Sequence, residues 1–226
     1  MRVVSLNVGL PQEVLWQDRV ITTSIFKTPV RERIWLRKLD FDGDQQADLT
    51  VHGGPDRAVY GYPFEHYDYW HRELPDAELP PGAFGENLTT EGLLESEVRI
   101  GDHFRLGSAE IVVTQPRLPC YKLQAKFRRA DIVKRFAESR RTGFYFRVAQ
   151  EGQVGPGDTI ELVQRQPGNL TITDIVTLYL SSQRDLPMLQ RAVELEALPT
   201  GWRDHFRRRL EQLQGEHAAA VNESQA

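Results

Sequence analysis

From Arg2 to about Val163 the chain alternates short apolar, β-branched and aromatic runs with clusters of Gly, Pro and Asp. The runs "RVVSLNV", "DRVITTSI", "RERIWLRKL", "RAVYGYP", "EVRIGDHFRL", "AEIVVTQ", "GFYFRVAQ" and "DTIELVQR" are of strand length and are punctuated by turn residues. Strands at such short intervals predict a mainly β region, a largely antiparallel sheet or barrel rather than a doubly wound α/β fold. Two stretches break in with helical spacing. "PFEHYDYWHREL" places Pro63 at a first helical position and aligns Tyr67, Trp70 and Leu74, and "RRADIVKRFAESRR" carries Ile132, Val133 and Phe136 as its apolar stripe. Both are predicted to be packing elements.

After "QRQPGNL" the period changes. "TITDIVTLYLSS", "DLPMLQRAVELEAL" and "PTGWRDHFRRRLEQLQ" predict three short helices, with Thr173 or Asp174 and Asp185 as N-caps. The Pro167-Gly168 pair therefore divides the chain into a mainly β domain over 1–168 and a small all-α domain over 169–226. The end of that domain, "GEHAAAVNESQA", reads as a frayed tail.

Composition narrows the class. With 226 residues, 40% apolar and 27% charged, the chain can bury a sizeable core and has the profile of an ordinary globular protein. The net charge of -4 argues against a general nucleic-acid binder, and Arg207, Arg208 and Arg209 lie where helical period predicts a solvated face. No apolar run has secretory or membrane-spanning length, so a cytoplasmic location with no membrane partner is expected. One cysteine cannot form an internal disulfide, and its thiol is expected to stay reduced.

That cysteine, Cys120, sits in "TQPRLPCYKL". The preceding strand ends just before Gln115-Pro116, which predicts a rim loop stiffened by Pro116 and Pro119. Arg117 and Lys122 would favour a thiolate, which is both a nucleophile and a soft metal ligand. A buried structural cysteine is the alternative. A second cluster, "VHGGPDRAVY", offers His52, Gly53 and Gly54 for close backbone approach to an anion and Arg57 as its bidentate partner. A turn with a surface Asp56-Arg57 pair would read the same way. In a third, "GAFGENLTTEGL", Glu86 and Asn87 could hydrogen-bond the edge of a heterocycle or simply form an ordinary turn.

Other motifs fall away. "DFDGDQQADLTV" starts like a calcium loop but has Gln45 where glycine is required and Val51 where the bidentate Glu belongs. His66 and His71 are five apart, off the spacing for two zinc ligands on one helix face. Neither a dinucleotide fingerprint nor a P-loop occurs, and one cysteine excludes a four-cysteine cluster.

Taken in order, "GDQQADLTVHGGPDRAVYGYPFEHYDYW", "FGENLTTEGLLESEVRIGDHFRLGSAEIVVTQPRLPCYKL" and "RTGFYFRVAQEGQVGPGDTIELV" resemble the MOSC domain family in its YiiM-like branch, over roughly residues 1 to 165. The resemblance implies a β-barrel core, a pyranopterin molybdenum cofactor and a cysteine ligand to molybdenum that matches Cys120. It also implies reduction of N-hydroxylated compounds such as 6-N-hydroxylaminopurine, a detoxifying activity. Molybdenum held by two pterin sulfurs needs only one soft protein ligand, so a single cysteine suffices. The pterin phosphate would give the His52-Gly53-Gly54 turn and Arg57 an anion to bind, Arg117 and Lys122 would serve cofactor or substrate, and His52 is the best proton-donor candidate. Electrons would come from a separate reductase. A cofactor carrier or a Cys120 persulfide relay is the non-catalytic alternative. The C-terminal helices would dock the reductase through Arg203, Arg207, Arg208 and Arg209, cap the barrel, or form a homodimer contact.

Overall fold

The computed structural model describes residues 1–47, 53–181 and 184–224, with 217–224 as backbone. The chain opens with β1 (Arg2–Val8), the hairpin β2 (Gln12–Trp16) and β3 (Arg19–Thr23), then β4 (Thr28–Val30) and β5 (Ile34–Leu36). A 3-10 turn at Pro55–Arg57 leads into β6 (Val59–Pro63), α1 (Tyr67–Glu73) and β7 (Leu88–Glu91). Next come β8 (His103–Leu106), β9 (Ala109–Pro116), α2 (Lys122–Phe127), α3 (Ile132–Ser139) and β10 (Phe144–Gln150). After β11 (Gly152–Val154) and β12 (Ile160–Gln164), the chain ends in α4 (Ile172–Leu180), α5 (Leu186–Glu194) and α6 (Thr200–Ser224).

Eight strands form one sheet in the order β12-β8-β9-β10-β6-β7-β1-β4. Its pairings are antiparallel except that β6 and β7 run parallel, joined by the crossover that carries α1. The expected barrel does not close as a continuous ladder. The sheet curls until the start of β1 meets the chain before β12, where Val3 N–H donates to Asp158 O and Ile160 N–H to Met1 O, both at 2.9 Å. Only the single Arg2–Thr159 bridge joins them, because β4 already pairs with the second half of β1 at Leu6, Asn7 and Val8.

Alternation fixes which side of each strand is inside. In β10, Phe144, Phe146 and Val148 point to the core while the residues between them are more exposed. These side chains join a large apolar cluster with Val3, Leu6, Phe104, Ile111 and Val113. The same cluster takes in Ile172, Ile175, Val176, Leu189, Leu198 and Phe206 from α4, α5 and α6. The C-terminal helices therefore complete the core of the sheet.

α4 starts earlier than its sequence suggests. The cap is Thr171, whose hydroxyl accepts from Asp174 N–H, while the Asp174 carboxylate accepts from Thr171 N–H; Asp174 is thus the third helical residue of a capping box. Asp185 caps α5 as expected. A second, aromatic cluster of Tyr60, Tyr62, Trp70, Phe84, Leu123 and Phe136 lies beneath α1, α2 and α3. Among the described residues no helix is long and apolar enough to cross a membrane.

Candidate functional site

β9 ends at Pro116, and four residues later Cys120 begins the turn into α2, its carbonyl accepting from Leu123 N–H at 3.0 Å. α2 itself was not expected from the sequence; it buries Leu123 and Ala125 on the aromatic cluster and so anchors the thiol's C-terminal flank. Cys120 is free and half-buried. It lines a cavity of about 110 Å³ together with Arg57, Asn87, Arg117 and Lys122. Residues that are up to 65 positions apart thus meet at one point.

The charge of this cavity is unusual for a buried place. Arg117 is 5% exposed, its guanidinium lies over the rings of Tyr60 at 5.1 Å and Phe136 at 5.2 Å, and its Nη1 has no hydrogen-bond partner. Lys122 is 8% exposed and, among the described residues, has no ion-pair partner. A buried cation without a carboxylate is costly unless something anionic meets it. The tyrosines Tyr60 and Tyr145, also in the wall, stay neutral because burial raises their pKa further above the ordinary phenol value.

Two wall residues were not singled out by sequence. Lys27 and Asp44 form a buried pair at 2.5 Å, 8% and 3% exposed at the side chain. Burial pulls the Lys27 pKa down, and Asp44 pushes it back up. Asp44 also accepts from Gly9 N–H at 2.8 Å and from Asn87 Nδ2 at 2.7 Å. The acidic loop rejected as a calcium site is therefore a structural clamp on Asn87. Asn87 lines the cavity, but its Oδ1 already accepts from Tyr60 N–H and its Nδ2 donates to Asp44 Oδ2, so its amide is held by the protein.

The remaining candidates separate. Arg57 stands at the end of the 3-10 turn, which Gln46 straps by donating to Arg57 O and accepting from Gly54 N–H, both at 3.0 Å. Gly53 and Gly54 do not line the cavity, and the Gly54 N–H expected to meet an anion is taken by Gln46, despite the positive φ of 95° at that glycine. Glu86 is likewise turned away: its carboxylate accepts from Gly82 N–H, Phe84 N–H, Thr89 Oγ1 and Tyr67 OH, which leaves it holding its own turn. His52 lies outside the described residues.

Arg57, Leu118, Cys120 and Tyr145 also border a second cavity, of about 250 Å³, whose far wall is Trp202 of α6. The indole N–H donates to Gln115 Oε1 at 2.5 Å. Sequence spacing could not have connected a C-terminal tryptophan to the thiol.

The MOSC domain family matches residues 48–161, and the YiiM-like 3-alpha helix domain matches residues 170–213. The chain belongs to the MOSC domain family. Within it, the chain is 41% identical to the protein YiiM of Escherichia coli K12 over 191 residues, 83% of this chain and 85% of that one. The fold superposes on the crystal structure of YiiM from Geobacillus stearothermophilus with a TM-score of 0.78 at 36% identity, covering 92% of this chain and 98% of the other. A protein of Gibberella moniliformis named "Reductase" is 32% identical over 178 residues, which span 77% of this chain but 32% of the fungal protein.

Among the described residues no group of three His, Cys, Asp or Glu side chains converges to hold a bare metal ion. A metal at this MOSC site would arrive with ligands of its own. The donor set fits such a group: one thiol, beside a buried guanidinium with an unpaired Nη1 and a buried ammonium.

Proposed function

We propose that this chain is a molybdenum cofactor-dependent reductase of N-hydroxylated compounds, with Cys120 as the protein's ligand to the metal. The observation that carries the reading is the meeting of Cys120 with Arg117 and Lys122 in one cavity, where neither cation has a carboxylate partner among the described residues. An anionic cofactor that presents a soft metal satisfies both halves of that arrangement.

When bound, the cofactor supplies two-electron reduction of an N–O bond: R–NHOH + 2e⁻ + 2H⁺ gives R–NH₂ + H₂O. The chain's own part is ligation, anion binding and exclusion of water. Cys120 would hold the metal, and Arg57, Arg117 and Lys122 would meet the cofactor's negative charge; the Tyr60 and Phe136 rings under Arg117 keep its guanidinium from solvent. The electrons come from a separate reductase.

The test is turnover of 6-N-hydroxylaminopurine with a supplied chemical reductant, run on protein produced in a cofactor-synthesising host. Adenine formed in proportion to bound molybdenum supports the reading. Molybdenum-loaded protein that leaves the substrate intact, or a metal-free protein carrying a Cys120 persulfide, overturns it.

A further inference from the structure

We infer that the C-terminal helices build the substrate side of the site, and that Trp202 is a specificity-determining residue selecting flat heteroaromatic N-hydroxyl compounds. This rests on the reductase reading above. It begins from the fact that Cys120 lines two cavities that share Arg57, Leu118 and Tyr145 and differ in their remaining walls.

The first holds the cations Lys27, Arg117 and Lys122, none of which borders the second. The second keeps Arg57 as its one cation and is otherwise walled by Gln115, Pro116, Pro119 and Trp202 beside the shared Leu118 and Tyr145; at about 250 Å³ it lies just below the roughly 300–1,000 Å³ of typical small-molecule pockets. A cofactor anion belongs with the cations. A small uncharged ring belongs with the prolines and the indole.

Trp202 is positioned rather than merely packed. Its N–H is fixed by Gln115, a residue 2% exposed, and its ring contacts Tyr179 at 5.1 Å and Phe206 at 5.9 Å between centroids. Gln115 in turn donates to Asp56 O at 3.4 Å, and its neighbour Thr114 donates to the same carbonyl at 2.7 Å. β9 therefore holds Trp202 from one end of Gln115 and the segment bearing Arg57 from the other. Substrate wall and anion-binding arginine are set by one amide.

Two variants and one label test this. Trp202→Leu keeps apolar volume and loses the flat ring; Trp202→Phe restores a ring. In calorimetric titration with adenine, the reduction product, the Leu variant should bind about tenfold more weakly than wild type, since loss of a ring that stacks on a base costs roughly 5- to 150-fold, and the Phe variant should recover most of the loss. In the loaded enzyme the Leu variant should raise KM for 6-N-hydroxylaminopurine while KM for N-methylhydroxylamine and the molybdenum content stay unchanged. Photolabelling of wild type with 8-azidoadenine, read by peptide mass spectrometry, should mark Trp202 or the segment Pro116–Cys120 even if a variant fails to fold. Equal adenine binding in all three proteins, or a label elsewhere, overturns the inference. Failure of the loaded protein to turn over any N-hydroxyl compound, with adenine binding still dependent on Trp202, would instead overturn the reductase reading.

Discussion

The guanidinium of Arg117 rests 5.1 Å above the ring of Tyr60, buried and, among the described residues, without a carboxylate partner, in the wall that also carries Cys120. The aromatic faces supply part of the compensation a buried cation needs, but a desolvated cation–π contact is worth about 2 kcal/mol, less than the cost of burying the charge. In the proposed site an anion completes it. Arg117→Met should therefore leave the melting temperature unchanged or higher in chloride buffer and abolish the stabilisation that phosphate gives the wild type at equal ionic strength. Losing one charge-assisted partner should cost about 1.5–3 kcal/mol of anion binding. Equal phosphate stabilisation of both proteins would show that the anion does not meet Arg117.

The Lys27–Asp44 pair should behave as a unit. Asp44→Asn leaves a buried ammonium unpaired and weakens the bonds from Gly9 and Asn87, which should cost about 3–5 kcal/mol in urea unfolding. Lys27→Met added to it should recover part of that loss. Strict additivity of the two substitutions would contradict a buried pair.

Lys126 gives a pH signature. Burial, reinforced by the charges of Lys27 and Arg117 and opposed by Glu86, lowers its pKa to about 8, while its ammonium donates to Ile25 O and Gly82 O. An unfolded lysine titrates near 10.4, so between these values the unfolded chain binds a proton that the folded chain lacks, and stability from this group rises with pH. The penalty is fully present below about pH 8. The stability of wild type minus that of Lys126→Met should thus increase from pH 7.5 to 10.5, by at most about 3 kcal/mol. A difference that is flat or falls over that range would refute the lowered pKa.

The helices after Gly168 should not be removable. Ile172, Ile175, Leu189, Leu198 and Phe206 lie in the cluster that fills the sheet, so a chain ended after Gly168 should lose its cooperative thermal transition. Arg209, grouped by sequence with a docking face, donates inward to Ser181 O at 2.6 Å and to Leu178 O, tying α6 to the end of α4. A soluble truncated chain melting like the full protein would contradict this.

Strands with clear alternation, such as β9 and β10, were legible in the sequence, as were α3 and the three C-terminal helices. α2 was not, because "YKLQAKF" is a short stretch following two prolines, and only burial of Leu123 on the aromatic cluster makes it a helix. β7 was hidden for a similar reason: "LTTE" sits in glycine-rich text, and its parallel pairing with β6 is a tertiary event. At the site, Cys120, Arg117, Lys122 and Arg57 could be picked out by residue type. Lys27, Asp44 and Trp202 could not, since nothing local marks a lysine, an aspartate or a tryptophan that folding brings to a thiol from far along the chain. Glu86 and Gly54 misled because their polar atoms serve their own turns.

The most direct measurement is the molybdenum-to-protein ratio, by elemental mass spectrometry, of wild type and Cys120→Ser purified in parallel from a cofactor-synthesising host. The thiol is half-buried and in no disulfide, and Ser is nearly isosteric with Cys, so the two proteins should melt alike. The account predicts molybdenum bound to wild type and absent from the Ser variant. Equal molybdenum in both, or a variant that loses metal only because it no longer folds, would contradict Cys120 as the ligand around which the cavity is built.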